Sequence, residues 1–274
     1  FGEFKTQVMD RYPGRFFGFT LSAFAEGTET NLFKDAGFVD KAIAELEHDV
    51  SLGAIGLKLL KEFGLRFTDN SGELIAIDDA RFSPVWKKCE QLGIPVLIHT
   101  SDPAAFFKPL DRHNEHLLTL LRYPDWHFAN VPVSKEELLA QRDRMIEANP
   151  GTTFILPHVA NWPENLAYVD QLLENHPNVV IDFSARMDEL ARQPYSARDF
   201  LIKHQERVLF GTDMAGSEAI YRWYFRILET RDEYFPHPDY NGTFEARPRF
   251  YLYGLHLPDE VLEKELAAIA GTAD

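Results

Sequence analysis

The chain has 274 residues, of which 45% are hydrophobic and 26% charged, and this ordinary globular composition excludes an intrinsically disordered protein. Its 43 acidic and 28 basic side chains give a formal net charge of −15, which argues against binding to nucleic acid or to an anionic membrane surface. The single cysteine, Cys89, excludes an internal disulfide framework and a CxxC metal site, and no apolar run reaches the ~18 residues of a membrane span.

Six short segments are rich in β-branched or aromatic residues and bounded by Gly, Pro or Asn, as is typical of buried parallel strands. In chain order they are Arg15–Phe24, Ala54–Leu60, Pro95–Thr100, Thr152–Val159, Asn178–Ser184 and Val208–Met214. Amphipathic helical patterns occupy Asp40–Val50, a segment beginning at Ser134, Pro163–Glu174 and a segment beginning at Pro258. Alternating strands and helices predict a parallel α/β fold, and we expect one domain over residues 1–274 because no linker divides the chain.

Two long stretches, 102–133 and 233–254, show neither a helical nor a strand pattern and are rich in Pro, His and aromatic residues. Loops of this length inside a compact domain are usually functional lids or disordered, and the aromatic content favours lids. We expect Phe106 and Trp162 to wall a substrate pocket and exclude water, with packing in the core as the alternative for each. The aromatic segment Phe244–Leu255 is a candidate interface between copies of the chain.

Polar side chains recur where the predicted strands end. His99, His158 and Asp213 each follow a run of apolar residues, and Lys58 lies within one. The carboxyl ends of parallel barrel strands form the active-site mouth, so two imidazoles and a carboxylate could meet there on one divalent metal ion. The alternatives stay open that each His is structural, that Asp213 caps a helix, and that Lys58 is a solvated edge residue.

Three runs of the sequence resemble a known family: IPVLIHTSDPAAFFKPLD, FILPHVANWPENL and NVVIDFSARMDELARQPYSARDFLIKHQERVLFGTDM. They are similar to the amidohydrolase superfamily, and more narrowly to the amidohydrolase-related branch that includes aminocarboxymuconate-semialdehyde decarboxylase and resorcylate-type decarboxylases. The resemblance covers nearly the whole chain. It implies a (β/α)₈ TIM-type barrel that holds one catalytic divalent metal ion, usually zinc.

The resemblance also implies roles for individual residues. His99 matches the metal ligand of the family's fifth strand, and Asp213 matches the ligand of the eighth. His158 matches the sixth-strand histidine, which lies beside the metal and activates water or substrate. Lys58 falls on the fourth strand and would face the substrate. Arg186 follows the seventh strand and is the candidate for binding a substrate carboxylate, which a guanidinium can grip with two hydrogen bonds.

Two features depart from the family's pattern. The His-x-His pair that ends its first strand is absent from a suitable place in this sequence, and six strands are predicted where a closed barrel has eight. We therefore expect a chain truncated at both ends that lacks the first two strands. The missing pair favours an alternative from another functional class, a non-catalytic binding protein on a degenerate barrel.

The sequence thus predicts a metal-dependent hydrolase or decarboxylase acting on a small carboxylated molecule, with His158, Asp213 and Lys58 as catalytic residues. Both reactions use the same metal ligands, so the choice between them stays open. We expect a small-molecule substrate, no nucleic-acid or membrane partner, and self-association as an option. The N-terminus carries no basic region before an apolar stretch, which predicts a cytoplasmic protein. A periplasmic or secreted location stays open because a removed signal leaves no trace.

Overall fold

A computed structural model describes residues 1–24, 30–214, 216–237 and 250–270, with side chains described as far as residue 264. The chain forms two compact units. The first comprises Phe1–Ser101, Val133–Leu156 and His176–Val179, and the second comprises Asp102–Pro132, Pro157–Asn175 and Val180–Asp274. The single domain over residues 1–274 stays a prediction.

The six predicted strands are present. They are β1 Gly18–Thr20, β2 Ala54–Leu59, β3 Val96–Ile98, β4 Phe154–Leu156, β5 Val179–Asp182 and β6 Val208–Leu209. In the first unit β1 to β4 pair in parallel, and in the second unit β5 pairs with β6 in parallel. The predicted α/β class is therefore confirmed. The strands are shorter than predicted because several residues after them turn away from extended backbone, among them His158 with φ 62°.

The helices lie between the strands, and the four predicted helical segments are confirmed as α2, α5, α7 and α11. The described helices are α1 Gly2–Phe4, α2 Phe38–Ser51, α3 Ser83–Leu92, α4 Leu117–Arg122, α5 Lys135–Glu147, α6 Pro157–Ala160, α7 Leu166–Asn175, α8 Met187–Leu190, α9 Pro194–Lys203, α10 Glu218–Glu229 and α11 Asp259–Ala270. Within α6 the backbone of His158 and Val159 is left-handed, so this short element is a turn after β4. Ser134 caps α5, since its hydroxyl accepts a hydrogen bond from the Glu137 amide at 3.1 Å. In α7 the apolar stripe Leu166, Val169, Leu172 and Leu173 is buried.

The first unit has an aromatic core where α2 and α3 pack beside the sheet. Phe24 and Phe38 meet edge to face with ring centroids 5.3 Å apart, and Phe63 and Phe82 do so at 5.2 Å. All four rings are buried. Edge-to-face packing adds about 0.5–1.5 kcal/mol per pair to the burial of the rings, so this cluster is a main source of stability for the unit.

The second unit packs α7 to α10 around its own apolar side chains. Phe183 on the chain after β5 lies 5.4 Å from Phe210 and 6.3 Å from Tyr224 of α10, measured between ring centroids. Two further strands, β7 Phe235–Pro236 and β8 Tyr251–Leu252, pair antiparallel. They lie in the predicted stretch 233–254. Of the proposed interface Phe244–Leu255, residues 244–249 lie outside the described residues.

The predicted lid 102–133 has more structure than its sequence pattern indicated. It contains α4 and two short 3₁₀ turns, at Ala104–Phe107 and Pro124–Trp126. Phe106 is buried with Ala105 and Leu120, so part of this stretch packs as a small core of its own. No helix among the described residues is long and apolar enough to cross a membrane.

Candidate functional site

Non-glycine residues with left-handed backbone follow three successive strands. They are His158 after β4, Ala185 after β5 and Asp213 after β6, with φ of 62°, 51° and 56°. The left-handed turn after β4 continues through Asn161. Such conformations cost of order 1–2 kcal/mol per residue and persist only where surrounding contacts enforce them. The second unit therefore holds strained backbone at the strand ends where the sequence predicted the site.

His158 is the most tightly held of the predicted site residues, with 2% of its surface exposed. Its Nδ1 atom lies 2.7 Å from the backbone oxygen of Ser184. A carbonyl oxygen can only accept a hydrogen bond, so Nδ1 carries the ring proton and Nε2 is the unprotonated nitrogen of the neutral ring. The ring is thus fixed in the form whose Nε2 can accept a proton or bind a metal ion.

One carboxylate oxygen holds the backbone around this histidine. Oδ1 of Asp182 accepts hydrogen bonds from the His158 amide at 2.9 Å, the Ser184 amide at 2.8 Å and the Ser184 hydroxyl at 2.6 Å. Sequence reasoning missed Asp182, although the criterion that selected His158, a polar residue where a strand ends, applies to it equally.

Asp213 is brought close to His158 within the second unit. Its Oδ2 lies 3.9 Å from Nε2 of His158, and 61% of its side chain is exposed. This distance is too long for a direct hydrogen bond and short enough for one atom to bridge the two groups. Buried Tyr224 supports the backbone here, because its hydroxyl accepts from the Ala185 amide at 2.9 Å and donates to the Thr212 carbonyl at 3.3 Å.

His99 and Lys58 belong to the first unit. His99 follows β3 directly, its amide donates to the Leu59 carbonyl at 3.1 Å, and its Nε2 lies 3.0 Å from the Ser101 carbonyl. Lys58 pairs with Leu97 inside the sheet and is half-buried. A third polar group was missed by sequence reasoning: Lys135, buried at the start of α5, donates to the hydroxyl of buried Ser101 at 3.2 Å.

Arg186 lies in a buried ionic cluster of the second unit. Its Nη1 donates to the Ala185 carbonyl at 2.6 Å, and its Nε has no hydrogen-bond partner among the described residues. Burial alone would raise the pKa of Glu189, but the imidazole of His116, whose Nε2 lies 3.5 Å from Oε1, and the charges of Arg186 and Arg192 bring that pKa below its usual value. The Arg186 guanidinium therefore already interacts electrostatically with a carboxylate of the protein, that of Glu189.

The two aromatic site candidates are not equally buried. Phe106 meets His116 edge to face with ring centroids 5.4 Å apart and stacks on Trp126 at 6.3 Å. Trp162 is half-buried and lies 4.9 Å from Tyr168. Phe106 thus contacts the same histidine whose Nε2 lies 3.5 Å from the Glu189 carboxylate.

The second unit supplies two groups of the kind a divalent metal ion binds, and the described residues do not complete the set. His158 and Asp213 offer nitrogen and oxygen donors, but no group of three or more His, Cys, Asp or Glu in the described part of the chain is placed to hold a metal ion. Two ligand atoms on a tetrahedral zinc ion lie about 3.4 Å apart, and these two lie 3.9 Å apart. The imidazole of His158 and the carboxylate of Asp213 are the right kinds of ligand for a metal ion, but two ligands are too few to form a site.

Comparison with protein-family models identifies the chain. A model described as amidohydrolase matches residues 8–272. The chain belongs to the amidohydrolase family. This confirms the resemblance of the three sequence runs, and the parallel sheet is consistent with part of a (β/α)₈ barrel. No curated protein matches the chain.

Solved structures resemble this amidohydrolase at low sequence identity. A dihydroxybenzoic acid decarboxylase from Polaromonas sp. JS666, solved with bound manganese and 2-nitroresorcinol, is 19% identical with a TM-score of 0.50, over 81% of this chain and 66% of its own. A 2,6-dihydroxybenzoate decarboxylase from Rhizobium is 20% identical with a TM-score of 0.50, over 81% and 68%. A 4-oxalomesaconate hydratase from Rhodopseudomonas palustris is 17% identical with a TM-score of 0.51, over 99% and 68%.

These likenesses establish the fold. The three proteins are enzymes by name, two decarboxylases and a hydratase, and manganese is bound in one of them. The amidohydrolase chain spans just under two thirds of the length of the Polaromonas enzyme.

Proposed function

We propose that this amidohydrolase is a metal-dependent decarboxylase or hydrolase acting on a small carboxylated organic molecule. One observation carries the proposal: a buried histidine has its Nδ1 proton held by a backbone carbonyl and its Nε2 turned toward an exposed carboxylate. A structural histidine needs no such carboxylate opposite its second nitrogen. The arrangement suits a group that accepts and returns protons near neutral pH.

In this proposal His158 moves the proton at its Nε2 atom. In a decarboxylation the carbon that loses CO₂ must gain a proton, and Nε2 would relay it. In a hydrolysis Nε2 would take a proton from the attacking water, and the Asp213 carboxylate would stabilise the resulting imidazolium. Because Nδ1 is held by the Ser184 carbonyl, the ring needs no reorientation during either reaction.

The metal ion belongs to the proposal as well, with zinc as the ion and His99, His158 and Asp213 as its protein ligands. The donor types support it, since imidazole nitrogen and carboxylate oxygen are usual zinc ligands. The described residues do not complete a metal site.

The remaining site residues are proposed to bind and enclose the substrate. Nε of Arg186 is a buried donor without a partner among the described residues, and a substrate carboxylate could satisfy it. Lys58 would add positive charge, and Phe106 and Trp162 would exclude water. A carboxylated substrate needs such local positive charge in a chain of net charge −15.

The net charge of −15 supports a further part of the proposal, that the protein has no nucleic-acid or membrane partner. Self-association also belongs to the proposal. We place the protein in the cytoplasm. Cys89 is a buried thiol outside any disulfide, which suits a reducing compartment.

A turnover assay tests the proposed activity. Carboxylated aromatic compounds are screened for CO₂ release and carboxylated lactones for hydrolysis, with Zn²⁺ or Mn²⁺ supplied. We expect turnover that falls about 10²–10⁴-fold in His158→Gln, the usual contribution of a proton-transfer group. His113→Gln is the matched control, because His113 is an exposed histidine of the same unit.

The missing third ligand favours one other function, a binding protein without catalysis. Calorimetry with the same compounds separates the two. Binding of a carboxylated compound without turnover, in folded protein loaded with metal, would overturn the enzymatic proposal and support the binding protein.

A further inference from the structure

We propose that Asp182 is the positioning residue of His158, and that it fixes which ring nitrogen faces the reacting groups. The inference rests on the proposed function for what His158 does to a substrate. Its structural part, the control of the ring tautomer by Asp182, stands on the contacts of the second unit alone.

One atom, Oδ1 of Asp182, connects the chain segments that follow β4 and β5. Oδ1 of Asp182, the last residue of β5, accepts the His158 amide from the chain after β4 and the Ser184 amide from its own loop. His158 has left-handed backbone, which opposes the usual preference of a residue with a side chain. A charged acceptor on its amide supplies a contact that holds this conformation.

Asp182 is linked to the ring of His158 through Ser184. Asp182 holds both the amide and the hydroxyl of Ser184 and so fixes the position of this residue, while Tyr224 holds the Ala185 amide in the same peptide plane as the Ser184 carbonyl. That carbonyl is the acceptor for Nδ1 of His158. The Ser184 hydroxyl lies 3.1 Å from Nδ1 and donates to Asp182, so its oxygen also turns a lone pair to the ring. Both contacts favour a proton on Nδ1 and leave Nε2 unprotonated in the neutral ring.

Gly211 packs closely against Asp182 and Ser184. A Cβ atom at Gly211 would lie 3.1 Å from Cβ of Ser184 and 3.3 Å from Cγ of Asp182. These distances are tighter than ordinary packing allows. The absence of a side chain at Gly211 therefore leaves room for the Asp182 carboxylate. Gly211 lies two residues before Asp213 on the neighbouring loop.

Mutation of Asp182 would lower the stability of the fold even if the residue had only a structural role. The experiment therefore measures which nitrogen of the His158 ring carries the proton. The protein is labelled with ¹⁵N-histidine, and long-range ¹H–¹⁵N spectra report which ring nitrogen carries the proton. The His158 signals are assigned by their loss in His158→Gln. In the unmodified protein we expect the proton on Nδ1.

Two substitutions at Asp182 separate the roles of shape and acceptor. Asp182→Asn keeps an oxygen where Oδ1 lies, so we expect the Nδ1 tautomer to persist. Asp182→Ala removes the acceptor, and we expect a mixture of tautomers. With an active substrate, kcat should fall about tenfold to hundredfold in Asp182→Ala and much less in Asp182→Asn, with KM nearly unchanged.

Gly211→Ala provides a second route to the same question if Asp182→Ala does not fold. It displaces the carboxylate without removing it, and we expect partial loss of the Nδ1 tautomer. In metal-free protein, where no ion on Nε2 can hold the proton on Nδ1, a folded Asp182→Ala or Gly211→Ala protein that keeps a pure Nδ1 tautomer would overturn the inference. Absence of turnover in the unmodified protein would instead overturn the proposed function and leave the tautomer result unaffected.

Discussion

The Nε2 atom of His158 lies 3.9 Å from the Oδ2 atom of Asp213, and it joins an almost fully buried ring to a largely exposed carboxylate. The ring is fixed from behind by Ser184 and Asp182, whereas the carboxylate faces solvent. A bridging water molecule or ion placed between the two would have one rigid and one accessible partner. This asymmetry makes the pair the centre of the proposed chemistry.

The two residues should act as one unit in catalysis. We expect His158→Gln and Asp213→Asn each to lower kcat by about 10²–10⁴-fold, with the double variant no slower than the worse single variant. The reason is that either change removes the same shared function. Steady-state kinetics on the four proteins measure the coupling, and losses that multiply in the double variant would show that the residues act independently.

Tyr224 should stabilise the loops that carry Ala185 and Asp213. Tyr224→Phe removes one hydroxyl and with it a donor and an acceptor for two backbone groups, so we expect a loss of about 1–3 kcal/mol in the free energy of unfolding. Urea unfolding measures this loss. Tyr195→Phe is the control, since Tyr195 is 85% exposed and should show a change near zero.

Glu189 should make the second unit sensitive to acid. Its pKa is lowered in the folded protein from the ordinary value of 4.5, so its charge adds stability that is present above that value and lost as the pH falls through the folded pKa. We expect Glu189→Gln to lower the free energy of unfolding by roughly 3–5 kcal/mol at pH 7, because Arg186 loses its buried counter-charge.

The pH dependence distinguishes this charge effect from a simple packing defect. The stability gap between the unmodified protein and Glu189→Gln should stay constant from pH 8 to pH 6 and close below about pH 4.5. Urea midpoints across this range test it, with exposed Glu218→Gln as the control. A gap that is independent of pH would mean that the charge of Glu189 does not stabilise the fold.

Cys89 should report unfolding of the first unit. The thiol is fully buried in α3, and this burial raises its pKa to about 12, so very little thiolate exists at neutral pH. We expect thiol reagents to leave the native protein unlabelled for as long as α3 stays packed, and to label one site per chain at once in urea. Rapid labelling of native protein would contradict the burial of this helix.

The strands and the positions of the candidate site could be predicted because both depend on short-range sequence patterns. Runs of β-branched residues bounded by Gly, Pro or Asn indicated six strands. The polar residues after these runs placed His158 and Asp213 at the same end of parallel strands, and the structure brings these two within 3.9 Å.

Other features depend on contacts between distant residues and left no local signal. The hydrogen bond from the His158 amide to Asp182 joins residues 24 apart in the chain. Neither sequence segment by itself indicates this bond. Arg186 was predicted as a carboxylate ligand for a substrate, and only the packed structure shows Glu189 beside it. The core around Phe106 has no local sequence signal, because its aromatic residues follow no helical or strand period.

Metal content is the most direct test of the central claim. The protein in its full natural sequence is purified beside His99→Ala and Asp213→Ala, and bound metals are quantified by ICP-MS. We expect about one zinc, manganese or iron ion per chain, lost in both variants. A correctly folded protein that holds no ion even after loading with excess metal would rule out the metalloenzyme and leave the barrel as a binding protein.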